Sequence, residues 1–92
     1  MATNKPILVE RVQTGVRLEK RLLKVLKGLA EHKDMSLGDL LEGILLHVFE
    51  GKQPFSEETL QIIAKLKDVY GLDLDAEASH QMTDDREGES SV

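Results

Sequence analysis

Seven residues, Val12-Gln13-Thr14-Gly15-Val16-Arg17-Leu18, most constrain what this chain can fold into. Val12, Thr14, Val16 and Leu18 alternate with Gln13, Gly15 and Arg17, the period-2 pattern of a half-buried strand. A lone strand leaves its edge N–H and C=O groups without ladder partners, so it needs a second strand. The remaining sequence offers no convincing one, and the expected partner is the same segment of a second copy. A two-stranded ribbon of that size fits the DNA major groove.

Length sets the next limit. Ninety-two residues without cysteine describe one small domain with neither disulfides nor thiolate metal sites. A chain this short buries a modest share of its surface, and association is a common remedy. No apolar run approaches the roughly 20 residues of a membrane span, and Met1–Pro6 lacks the apolar stretch of a secretory signal. A cytoplasmic protein is expected.

The net charge of −5 hides a strong asymmetry. Residues 1–33 hold eight basic groups against three acidic ones, a balance of +5, whereas residues 34–92 hold four against fourteen, a balance of −10. Local field, more than overall charge, decides whether an anion binds. Two readings of Lys20, Lys24 and Lys27 are open, an anion-binding surface or the ordinary solvated face of a helix.

The segments divide as follows. Residues 1–10, with Pro6 and the patch Ile7-Leu8-Val9, read as a flexible arm, and the strand covers 12–18. Over 19–33 the residues Leu22, Val25, Leu26, Leu29 and Ala30 share one helical face. Gly28 interrupts this helix at a cost of roughly 1 kcal/mol against alanine, which points to a close contact. A second helix, 36–50, opens on Ser36 with Asp39 three positions later and Met35 before the cap. Its apolar residues (Leu37, Leu40, Leu41, Ile44, Leu45, Leu46, Val48, Phe49) form a surface too wide for one short helix to cover. Burial on two sides, by the first helix and by a second subunit, is expected. Gly51 supplies the helix stop. A third helix, 56–70 within a segment 52–71, is bounded by Ser56 and Gly71, with Leu60, Ile63, Leu66 and Val69 or Tyr70 on one face. Residues 72–92 lose the apolar period and read as a largely disordered acidic tail.

Catalytic chemistry is hard to find. His32, His47 and His80 lack metal-site spacing, and no nucleophile elbow, phosphate loop or dinucleotide fingerprint occurs. The acidic pairs near Asp73 and Asp84 lack the glycine and closing glutamate of a calcium loop. The expectation is a protein that is not an enzyme and needs no metal or other cofactor.

The order of strand, basic-faced helix, Ser-Leu cap and apolar helix is specific in combination. Val16-Arg17-Leu18-Glu19-Lys20-Arg21-Leu22-Leu23, then Leu26 and Leu29-Ala30-Glu31, then Met35-Ser36-Leu37-Gly38-Asp39-Leu40-Leu41, resembles the ribbon-helix-helix family of Arc and MetJ repressor type, β-strand readers of DNA. The likeness covers about residues 11–50, within a domain expected at 11–51. It implies a mainly α fold with one N-terminal β-strand, an intertwined ribbon-helix-helix homodimer plus an extra C-terminal helix. The function implied is a homodimeric DNA-binding transcriptional regulator, a repressor, that inserts its antiparallel ribbon into the major groove. Base reading maps onto Gln13, Gly15 and Arg17, with Arg17 suited to guanine and Gln13 to adenine. Phosphate contacts map onto Arg11, Lys20, Arg21 and Lys24, and onto Ser36 with the backbone N–H groups of Leu37 and Gly38. Gly15 departs from the pattern because it has no side chain to read with; it implies either a close backbone approach or weak sequence reading. The alternative is an antitoxin-like interaction module that binds a partner protein through the C-terminal helix and acidic tail.

Overall fold

In a computed structural model, which describes residues 6–84, the chain is three α-helices and one 3-10 turn. The helices are α1 (Lys20–His32), α2 (Leu37–Phe49) and α3 (Glu57–Tyr70), and the turn covers Ala76–Ala78.

Short-range chemistry places the helix ends. Glu19 caps α1 by accepting the Leu22 N–H at 2.9 Å. Ser36 caps α2 by accepting the Asp39 N–H at 3.1 Å, and Ser56 caps α3 by accepting that of Thr59 at 3.2 Å. Each cap satisfies one of the donors that the first helical turn leaves unpaired. All three helices stop alike. A left-handed residue, Asp34, Gly51 or Gly71, reverses the chain. The following N–H (Met35, Lys52, Leu72) then returns to a carbonyl five residues back, at 3.0, 2.8 and 2.9 Å respectively. Glycine reaches this conformation without steric cost, and aspartate is among the few other residues that tolerate it.

The core lies where α1 meets both other helices, packing chiefly on α3 and less on α2. Leu29, Ala30 and Leu40 form its centre, with Leu29 only 2% exposed. Leu26, Ile44, Phe55, Ile62, Ile63 and Leu66 close around them. Gly28 lies in the tight α1–α3 contact: a Cβ there would meet Leu66 Cδ2 at 3.0 Å and Tyr70 Cε2 at 3.7 Å. On α3, Ile62 joins Ile63 and Leu66 against the core while Val69 is exposed.

The expected strand at 12–18 is corrected by the structure. The described residues contain no β-strand, so the fold is a three-helix α domain with an extended N-terminal segment, in place of a strand-containing ribbon-helix-helix dimer. The physical reason is the one that made the pattern demanding. A strand is a ladder of hydrogen bonds, and one chain supplies no neighbour for it. Ion pairs hold this segment instead, from Arg11 to Glu42 and from Arg17 to Asp84. Its alternating apolar set stays uncovered, with Val12 79% and Val16 75% exposed.

Of the tail expected at 72–92, the structure describes residues 72–84. Leu72, Leu74 and Met82 lie against α1 and α3 over an open apolar cavity of about 390 Å³, and the 3-10 turn sits between them. The first half of the arm expected at 1–10 and the tail residues 85–92 lie outside the described residues. Among the described residues no helix is long and apolar enough to cross a membrane.

Candidate nucleic-acid interface

Three arginines of the basic N-terminal part, Arg11, Arg17 and Arg21, are partnered by carboxylates of the acidic part. Arg11 makes a two-pronged pair with Glu42 of α2, Nε to Oε2 and Nη2 to Oε1, both at 2.8 Å. This bidentate geometry matches the flat fork of the guanidinium to the carboxylate plane. It raises the Arg11 pKa and lowers that of Glu42, in each case first through the shared hydrogen bond.

Arg21 sits on the first turn of α1 and collects three acceptors at 3.0 Å. Its Nε donates to Glu19, and its Nη1 donates to the Gly71 carbonyl and to Asp73 Oδ1. Glu19 therefore works twice, capping α1 and holding Arg21. Its carboxyl lies below its ordinary value chiefly because the Leu22 N–H donates to the charged form, with Arg21 adding to the effect. Arg17, just before α1, pairs with Asp84.

The other expected phosphate ligands are distributed differently. Lys20 is exposed at the start of α1. Lys24 lies one turn later, with its Nζ 5.7 Å from the Tyr70 ring centroid, within cation–π range. Ser36, Leu37 and Gly38 form the start of α2, where the Ser36 hydroxyl is engaged as a cap. Gln13 and Gly15 lie on the exposed extended segment, and nothing lies within 4 Å of where a Gly15 Cβ would be. The structure thus brings Arg17 and Arg21 to one acidic segment, Asp73 to Asp84, and ties Arg11 separately to α2.

Sequence reasoning missed these carboxylate partners. Only the charge asymmetry hinted at them, since it promises attraction between the halves without naming pairs. It also missed the partner of His47, whose Nδ1–H donates to the Gly43 carbonyl at 2.8 Å in an ordinary helical i, i+4 contact. Among the described residues no cluster of histidine and carboxylate side chains could hold a metal ion.

A second surface accompanies the charged one. The last turns of α2 leave Leu45, Leu46, Val48 and Phe49 exposed, Leu46 at 67% and Phe49 at 79%. Adjacent large apolar side chains left in water are a usual mark of an association surface. Protein-family models, curated proteins and solved structures provide no match to this chain.

Proposed function

We propose that this protein is a homodimeric DNA-binding regulator. The exposed apolar end of α2 joins two copies, and the basic segment from Arg11 to Lys24 meets duplex phosphate. The single observation that carries this reading is the gathering of Arg17, Lys20, Arg21 and Lys24 around the start of α1, within residues 1–33, whose charge balance is +5. Guanidinium and ammonium groups in such a cluster exchange their acceptors readily for the dense phosphates of a duplex. Arg17 is the strongest candidate for a base contact, because it lies on the extended segment ahead of the helix rather than on the helix itself.

The DNA-contacting element is this extended basic segment, and the paired ribbon plays no part in the proposal. The alternative, a C-terminal partner-binding module, has less support. Ile62, Ile63 and Leu66 of α3 are spent on the chain's own core, and Leu72 and Leu74 on its own cavity.

Titration of a fluorescent mixed-sequence duplex tests the proposal. Arg17→Ala is expected to weaken binding about three- to tenfold while sedimentation shows the same assembly as the parent protein. Equal affinity in the variant would remove Arg17 from the interface.

A further inference from the structure

We propose that residues 72–84 form a strap that occupies the DNA-facing guanidiniums of Arg17 and Arg21 with the chain's own carboxylates, so that strap and duplex compete for these side chains. This rests on the DNA-binding reading and assigns a regulation to that same site.

The strap is built by apolar anchoring with acidic groups at both ends. Left-handed Gly71 ends α3 and turns the chain back toward α1, where the Gly71 carbonyl and Asp73 both accept from Arg21. Leu72, Leu74 and Met82 then lie along the cavity walled by Leu22 and Leu26 of α1 and Ile63 of α3. Local bonds stiffen the intervening residues. Asp75 accepts the Glu77 N–H at 3.1 Å, and the Gln81 side chain donates to the Glu77 carbonyl at 2.9 Å. This ordering delivers Asp84 to Arg17, although 67 positions separate the two in sequence.

Asp73 on Arg21 and Asp84 on Arg17 therefore take guanidinium positions that a phosphate oxygen would need. The strap is also displaceable. Asp73 is exposed, and the cavity beneath retains about 390 Å³ of open space, so few contacts resist its release. Solvent-accessible ion pairs each shift an equilibrium by a factor of up to about five. Two of them give a graded brake that a polyanion can overcome, and the counterions released from DNA favour that exchange.

The test uses the full-length chain with Asp73→Asn and Asp84→Asn combined, which keeps side-chain size and removes both charges. Affinity for a mixed-sequence duplex at about 100 mM salt is expected to rise about tenfold. If the parent protein binds and the variant binds no better, the strap is overturned while the DNA reading stands. If neither binds, the DNA reading fails and takes the competition with it. A second measurement reads the strap before and after duplex is added. The chain has no cysteine, so Thr83→Cys gives a single site for a spin label. The label is expected to broaden the amide resonances of residues 17–26, and saturating duplex is expected to restore them. Sharp resonances before DNA is added, or broadening that survives saturation with bound duplex, would overturn the proposal.

Discussion

At the scale of single residues, Glu19 joins helix formation to the charged surface. Its carboxylate caps α1 and holds Arg21, so protonating it weakens both interactions. Its pKa is lowered in the folded chain from an ordinary value of 4.5, so the unfolded state takes up the proton first as the pH falls. The stabilisation is therefore fully present above about pH 4.5 and is lost as the pH drops through the lowered folded value. Glu42, lowered by Arg11, acts in the same direction. Glu19→Gln keeps the shape of the side chain but not its charge. We expect its melting temperature near pH 7 to lie roughly 2–4 °C below the parent's, and the two curves to converge below about pH 4. Circular dichroism melts across pH 3–7 check this. A constant gap over that range would show that the charge of Glu19 contributes nothing.

At the scale of elements, α2 carries more apolar surface than its own chain covers. Leu40 is buried and Ile44 lies against the core, while Leu46 and Phe49 project into water. A second copy placed there would bury these side chains, each gaining on the order of 1.5–3 kcal/mol if fully covered. Leu46→Glu would place a charge in that contact at little cost to the separate chain. Sedimentation velocity is expected to show the parent as a dimer and Leu46→Glu as a folded monomer. A parent protein that is already monomeric would place the association surface elsewhere or remove it. The helices were legible in the sequence because their signals are local: Ser36, Ser56, Gly51 and Gly71 lie at or beside the ends they set. The width of the α2 apolar surface was legible for the same reason. The segment 12–18 was legible only as an alternation, because periodicity reports which residues prefer cover and not what supplies it. The strap was illegible. Leu72, Leu74 and Met82 have no regular spacing, and its charged contacts link residues 52 and 67 positions apart.

At the scale of the whole molecule, the uneven division of charge is resolved by folding. The basic half and the acidic half meet, and Arg11, Arg17 and Arg21 each rest on a carboxylate contributed from beyond residue 34. Of the candidate site, the basic residues themselves were readable from composition, but their occupancy was not, because ion-pair partners depend on where the chain returns. An acidic protein can thus keep a basic face, internally neutralised until a stronger polyanion arrives. We propose that this face binds duplex DNA through its cations. The most direct test is the salt dependence of duplex affinity measured with the full-length protein. Five candidate cations per copy, Arg11, Arg17, Lys20, Arg21 and Lys24, stand in the proposed interface. Engagement of about half of them in a dimer gives a log–log slope of about −4 or steeper between 50 and 200 mM salt. A slope near zero, or no binding at the lowest salt, would contradict the claim.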